Sequence, residues 1–464
     1  MIKKMTQLSG KKILIAGIGK TGISLTSFCK KKGADITVTD INKDALIKIS
    51  EQKSLFSGIK KEIGYHNIQT FQNSDLIILS PGIPHNIKPV TAATAKGVKI
   101  TGEIEFASQF IKTPVIAVTG TNGKTTVTTL IGEILKNCGK KVFVGGNIGK
   151  PLIDYVDGED KADIIIAEIS SFQLDTISTF NPNIAACLNI SKDHLERYTN
   201  YSEYAASKVK IFANQDKKDT AIINGNDILL RTLTENIKSK KLFFYPQTKE
   251  AGSIINFTDK KLIFDFINTG EKEKNFINLN NIKLIGAHNI ENIAAASLCA
   301  LAAGANINKI QKTVSEFKGI KHRIEHIDTI NNVAYYNDSK ATNTDAVLRA
   351  LQNFNNPLIL IMGGIDKGGS FEKLKPLIKK SVKKLIAIGE AKQKIINTFA
   401  DTASDIISAN SLEEAVNLAH KKAAAGDAVL LSPGCASFDM FRNYADRGET
   451  FCKAVKGIRE LNNG

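Results

Sequence analysis

The chain has 464 residues, 42% hydrophobic and 23% charged, a length for several domains of roughly 100–200 residues each and a composition that excludes wholesale disorder and a membrane bundle. Its net charge of +16 would suit a polyanion, but 55 of the 62 basic residues are lysines strewn along the whole chain without interleaved aromatics, which speaks against nucleic acid and leaves small anions such as phosphates as the ligands the field favours. No apolar run nears the ~18 residues of a spanning helix, the early stretch ILIAGIG is too short and glycine-rich for a secretory leader, and the six scattered cysteines lack CxxC spacing, so the expectation is a cytoplasmic protein with reduced thiols and no membrane insertion.

Along the chain, β-branched runs alternate with helical patterns: KKILIAGIG, ADITVTD, SDLIILSPG, TPVIAVTG, KKVFVGG, ADIIIAEIS, NIAACLNIS, PLILIMGG, KKLIAIGE and DAVLLSPG. Runs without period-2 polarity are buried parallel strands, so the class is α/β with several doubly wound sheets. Three blocks emerge, 1–102, 103–319 and 320–464. Within the second, a Lys- and Asn-rich stretch from 235 to 283 with runs such as KLIFDFI reads as an antiparallel insertion.

The first block opens with GIGKTG, Gly17 to Gly22, directly after a strand, and Asp40 ends the next strand. This fits a nucleotide-binding turn: small residues let the backbone approach a diphosphate, and the acid can bind a ribose. A nicotinamide site and a generic βαβ turn both remain open on these residues alone. SPGIP, Ser80 to Pro84, is a second Gly/Pro-rich turn at a strand end.

The second block begins TPVIAVTGTNGKTTVTTL, a strand, a Gly-rich turn and a helix. Gly120, Gly123, Lys124 and Thr125 have phosphate-loop chemistry, with backbone N–H groups and a lysine for phosphate oxygens and a hydroxyl for Mg²⁺; Val118 replaces the first glycine of the full pattern. Glu168 ends a strand too apolar to hold a carboxylate without a reason, which points to a metal ligand. Asp193 and His194 follow a further strand; a lone histidine fits packing or capping as well as a ligand.

Read together, GTNGKTT, GGNIGKPL, AEISSFQLD, NISKDHLERYTNYSEYAASKVKIF, GAHNIENIAAA, GIKHRIE, NDSKATN, GGIDKGG and LLSPGCASFDMFRNYADRGETF closely resemble the Mur ligases, in order and through nearly the whole chain. The last segment and SPGIP are most similar to the D-glutamate-adding branch. The resemblance implies three α/β domains: an N-terminal Rossmann-like UDP-binding domain, a central P-loop ATPase-like domain and a C-terminal Rossmann-like domain. It also implies the reaction. ATP would phosphorylate the carboxylate of UDP-N-acetylmuramoyl-L-alanine, and the amine of D-glutamate would attack the acyl phosphate, in a monomer acting on small molecules.

Carried over by motif, Gly120, Thr121, Asn122, Gly123, Lys124, Thr125 and Thr126 would form the ATP loop. Thr125, Glu168, His194 and a carbamylated Lys208 would hold two Mg²⁺ ions, although physical argument alone does not choose Lys208 over Lys210. Asn289 and Asn292 would face the nucleotide, with helix capping the other reading of Asn289, and Arg323 and Asp338 would reach its γ-phosphate and ribose. Lys20, Thr21, Asp40, Ser80, Pro81 and Gly82 would contact UDP and Asn147 the substrate or phosphates. Lys340, Thr342, Lys367, Ser437 and Tyr444 would line the D-glutamate pocket. Ser370 stands where the family often has Asp, and Tyr444 where it often has Phe.

Overall fold

The computed structural model describes residues 8–159, 161–191, 198–244, 252–256, 260–264, 276–280, 282–284, 287–354, 356–366, 368–403 and 405–463. Its strands form three sheets. The first contains β1 (Lys12–Ala16), β2 (Asp35–Asp40), β3 (Lys60–Ile63), β4 (Leu76–Leu79) and β5 (Lys99–Gly102), all parallel in the order β3-β2-β1-β4-β5. The winding direction reverses between β1 and β4, so a crevice opens at their carboxyl ends.

The second sheet holds β6 (Val115–Thr119), β7 (Val142–Gly146), β8 (Ile164–Glu168), β9 (Ile184–Cys187), β10 (Thr220–Asn224), β11 (Lys240–Phe244), β12 (Gly252–Asn256), β13 (Lys261–Phe264) and β14 (Phe276–Asn278). Its order is β14-β13-β12-β11-β10-β9-β6-β8-β7. The interior strand β6 is buried at every position, as its apolar run requires. The stretch expected as an antiparallel insertion is instead continuous with this sheet. β11 pairs parallel with β10, and the chain turns antiparallel only at β12–β13 and β13–β14.

The third sheet runs β15-β16-β20-β17-β18-β19, from β15 (Glu325–Ile330), β16 (Val333–Asn337), β17 (Leu358–Gly363), β18 (Val382–Ile388), β19 (Ile406–Ser408) and β20 (Ala428–Leu431). It is parallel except for β15 against β16. By contact density the chain forms two compact units, Met1–Ile282 with Ala287–Glu316, and Lys283–Gly286 with Phe317–Gly464. The first two sheets therefore share one unit.

What joins those two sheets is the short helix Glu103–Ser108. Phe106 and, just beyond the helix, Phe110 pack edge-on against Phe28 of the helix Lys20–Lys31, with ring centroids 6.0 and 5.1 Å apart. The polar side is held as firmly. Glu105 is 3% exposed and accepts the backbone N–H groups of Ser178, Thr179 and Phe180 at 2.9–3.1 Å, together with the Thr179 hydroxyl. Glu105→Ala leaves those donors without their acceptor, so the unit should lose about 3 kcal/mol, read as a lowered urea midpoint. Lys136→Ala removes an exposed ion pair with Glu133 and should change the midpoint by less than about 0.5 kcal/mol.

Candidate active site

The turn after β6 is shaped by two glycines. Gly123 has φ +83, and a Cβ there would lie 2.2 Å from Asn292 Oδ1. Gly120, at φ +149, sits against Leu188. The turn leads into the helix Lys124–Asn137, whose first-turn N–H groups suit an anion. The N–H groups of Thr121 and Asn122 are tied to Asn189 at 2.9 Å, through its carbonyl and its Oδ1. The Thr121 hydroxyl bridges Ser191 and the Tyr204 hydroxyl. Asn189 was not among the sequence candidates, although it sits in the same NISKDH segment. Lys124 Nζ donates to the carbonyls of Gly120 and Thr121 at 2.8 and 3.0 Å, and Thr125 and Thr126 are half-buried in the first turn.

β8 lies beside β6, with Glu168 paired in register to Val118. Glu168 is 2% exposed; its Oε1 accepts Asn147 Nδ2 at 2.9 Å, while its Oε2 has no hydrogen-bond partner. An ionised oxygen buried in that state costs several kcal/mol, and a cation at Oε2 would remove the cost, so this side chain fits a Mg²⁺ ligand. Among the described residues no three His, Cys, Asp or Glu side chains cluster as a metal cage. Mg²⁺ does not need one when phosphate oxygens complete its shell.

Lys208 is 2% exposed, 2.9 Å from the Gly120 carbonyl and above the Tyr204 ring. Lys210, which the sequence alone left equivalent, is half exposed and pairs with Asp175. His194 lies outside the described residues. Asn289 is the third residue of the helix Ala287–Ala302 and not its cap, and it accepts from Asn292 Nδ2 at 3.2 Å.

At the first sheet, Asp40 accepts the N–H groups of Ile18 and Asn42 at 2.7 and 2.9 Å, so it holds the GIGKTG loop as well as standing beside it. Ser80 donates to the Gly17 carbonyl at 2.9 Å, and a Cβ on Gly22 would lie 1.9 Å from that oxygen. Lys20 reaches across to the Gly149 carbonyl in the turn after β7. Thr21 and Pro81 are half-buried, and Gly82 is exposed. Ser80 and Pro81 form one wall of a cleft of about 640 Å³, counting the open solvent at its mouth. Phe172 and Tyr198 on the other wall are stacked 5.9 Å apart, and Tyr198 donates to Asp175 at 2.8 Å.

In the second unit, Asp338 is 7% exposed and pushed up to about 7 by burial, against the hydrogen bonds of the Ser432 hydroxyl and Ile324 N–H and the charge of Arg323. Arg323 itself is exposed between two residues in the left-handed region, His322 at φ 65 and Ile324 at φ 46. Such backbone costs of order 1–3 kcal/mol per residue and persists only where the surroundings hold it. His322 is held by Asn337 at 2.9 Å, and Gly448 leaves room for its ring. Lys340 Nζ stands 3.8 Å from the Tyr444 ring centroid, Thr342 is half-buried and Ser437 is buried. Lys367 lies outside the described residues.

Sequence reasoning missed Arg447, which is 1% exposed. Its guanidinium donates to Ser339 Oγ and O and to the Cys435 carbonyl at 2.9–3.2 Å, and to the Gly363 carbonyl at 3.4 Å. It thereby ties together the loops of NDSKATN, GGIDKGG and SPGCAS. Burial lowers its pKa to about 10. The residue falls in the quoted segment NYADRGETF, but nothing in that string sets it apart from a surface arginine.

The protein-family models that match are the Mur ligase MurD-like N-terminal domain over residues 11–102, the Mur ligase middle domain over 118–300 and the Mur ligase glutamate ligase domain over 322–435. The chain belongs to the Mur ligase family, and as such it is an ATP-dependent, ADP-forming amide ligase. Among its relatives is the UDP-N-acetylmuramoylalanine--D-glutamate ligase of Desulfatibacillum aliphaticivorans, 47% identical over 97% of this chain and 99% of that protein. The ligase of the same name from Bdellovibrio bacteriovorus is 41% identical over 98% and 99%. In fold the chain is similar to the UDP-N-acetylmuramate-alanine ligase MurC of Thermotoga maritima, with TM-score 0.59 and 18% identity over 96% of this chain and 99% of that one. Among the described residues no helix is long and apolar enough to cross a membrane.

Arg447→Lys keeps the charge but not the planar fork, and an ammonium cannot reach Ser339, Gly363 and Cys435 together. We expect a loss of about 2–4 kcal/mol in the second unit, measured by thermal unfolding. Lys456→Arg, an exposed exchange on the same C-terminal helix, should leave the transition unmoved.

Proposed function

We propose that this ligase joins D-glutamate to UDP-N-acetylmuramoyl-L-alanine in peptidoglycan precursor synthesis, as a cytoplasmic monomer. The observation that carries the site assignment is the unpartnered Glu168 oxygen on the strand beside the phosphate loop. The printed names of relatives that match nearly the whole chain support the substrate pair.

A carboxylate is a poor electrophile, so its hydroxide-equivalent must first become a leaving group. Transfer of the γ-phosphoryl group of ATP to the alanyl carboxylate gives an acyl phosphate. The neutral amine of D-glutamate attacks the carbonyl carbon, the tetrahedral adduct expels phosphate, and the amide remains with ADP. Positioning and charge neutralisation carry most of such catalysis. In this reading Lys124 gives up one of its two loop carbonyls to meet the β- and γ-phosphates, with Gly120 to Thr126 wrapping them and Asn289 and Asn292 against the nucleotide.

Glu168 and Thr125 would hold Mg²⁺, with His194 and a carbamylated Lys208 toward a second ion. The metal, when bound, neutralises phosphate charge. Carbamylation fits the Lys208 setting: the ammonium gives up one proton, the neutral amine adds to CO₂ and loses a second, and the resulting carbamate would place an anionic oxygen donor beside the loop.

Within the second unit, Arg323 and Asp338 would take the γ-phosphate and ribose. Lys340, Thr342, Lys367, Ser437 and Tyr444 would supply the cation and hydroxyls a dicarboxylate needs. Lys20, Thr21, Asp40, Ser80, Pro81 and Gly82 would hold the UDP end, and Asn147 the substrate near Glu168. By function we divide the chain at 1–102, 103–319 and 320–464.

The test is phosphate release from ATP and Mg²⁺ with UDP-N-acetylmuramoyl-L-alanine and a panel of D- and L-amino acids. Release with D-glutamate alone is expected, and Lys124→Ala should abolish it. Release with another amino acid and not with D-glutamate would refute the assignment. Lys208→Ala should be inactive and partly rescued by acetate; rescue by alkylamines instead would mean a cationic lysine.

A further inference from the structure

One buried charge at the joint between the first two sheets has no part in the reaction above. Glu103 opens the connecting helix Glu103–Ser108, is 1% exposed and lines the cleft. Its Oε1 accepts the N–H of Ile153 at 2.7 Å. Ile153 belongs to the helix Leu152–Asp157, which follows directly on the GGNIGKP segment. That segment is fastened at two further points. Asn147 bonds Glu168 through its main-chain N–H and its side chain, at 2.8 and 2.9 Å, and the Gly149 carbonyl accepts Lys20. At the far end of the same helix Asp157 pairs with Lys31, from the helix that also carries Lys20.

The segment thus touches the Mg²⁺ candidate on one side and a UDP candidate on the other, and Glu103 is its third anchor. A linker needs no carboxylate, and burying one costs several kcal/mol unless it is bonded. The joint is also closely packed, since a Cβ on Gly102 would lie 2.1 Å from Thr176 Oγ1.

We propose that Glu103 is a positioning residue: through the N–H of Ile153 it sets the segment that carries Asn147, and so the affinity for the UDP-linked substrate. This rests on the function proposed above. Burial pushes Glu103 up to about 7, with Asp154 adding to the rise and the N–H groups of Ile153 and Leu152 opposing it. The other titratable groups around it are Glu105 on its own helix, satisfied by the 178–180 backbone, and His85, Asp175 and Tyr198 along the cleft. As the pH falls through about 7 the carboxylate takes up a proton, and a charge-assisted bond gives way to a neutral one of about half the strength. The anchor therefore weakens on the acid side, and KM for the UDP substrate rises there.

The test compares wild type, Glu103→Gln and Glu103→Ala as full chains. In the ligand-free protein, amide hydrogen exchange over residues 146–153 should be faster in the Gln variant and faster again in the Ala variant. In steady state, KM for UDP-N-acetylmuramoyl-L-alanine at pH 8.5 should be about three- to tenfold higher in Glu103→Gln, close to the wild-type value at the acid end and insensitive to pH across 6–8.5. KM for ATP should stay within about twofold. Exchange rates unchanged by Glu103→Gln would overturn the proposal, as would a Gln variant that keeps the wild-type pH dependence of KM. If Glu103→Ala does not fold, the isosteric Gln variant decides alone. Faster exchange in the variants of a wild type that does not turn over the UDP substrate would sink the proposed function and leave the anchoring role supported.

Discussion

Carboxylates taken out of water must be answered, and among the described residues main-chain N–H groups answer most of them. Asp40 takes Ile18 and Asn42, Glu103 takes Ile153, Glu105 takes three successive amides, Asp227 takes Ile190 and Leu230, and Asp338 takes Ile324. In each case the amide belongs to a loop or to the start of a helix, where the backbone has no ladder partner of its own. These bonds hold irregular segments in place at the sheet ends, where a rigid scaffold alone would leave them free to move. Charge-assisted bonds suit this use because each is about twice as strong as a neutral one.

Three groups among the described residues stand out against that pattern: Glu62, whose Oε1 accepts the Thr70 hydroxyl while its buried Oε2 has no hydrogen-bond partner, Glu168 and Arg447. Glu168 has a backbone-independent partner in Asn147 for one oxygen and nothing for the other, which leaves the charge available to a cation. Arg447 is the reverse case, a buried cation answered by carbonyl oxygens and a hydroxyl. Glu168 is left incomplete in the first unit, and Arg447 completes a set of loops in the second. The first leaves an oxygen that a cation could take, the second holds loops together at fixed distances.

The sheet interiors could be read from the amino acids because their strands are apolar on both faces, as in β1, β4, β6, β8 and β17. β3, KKEI at a sheet edge, and β15, an edge strand with one buried residue of six, could not, since water on one side removes the demand for apolar residues. The phosphate loop and Glu168 were legible because glycine spacing and a misplaced charge are local signals. Asn189, Glu103 and Arg447 act over long sequence separations, 67, 50 and 108 residues to partners such as Asn122, Ile153 and Ser339, and no window of sequence contains both ends. Burial likewise separates Lys208 from Lys210, which composition and pattern treat alike.

The stacked pair in the cleft wall gives the molecule an optical property. The chain has nine tyrosines and no tryptophan, so its ultraviolet emission is not swamped by indole. Tyr198 is 6% exposed, lies against Phe172 and is bonded to the Asp175 carboxylate, a neighbour that quenches a phenol by accepting its proton in the excited state. A ligand that enters the cleft and disturbs that contact changes the glow of this one ring, so the unlabelled protein carries its own fluorophore beside the cleft.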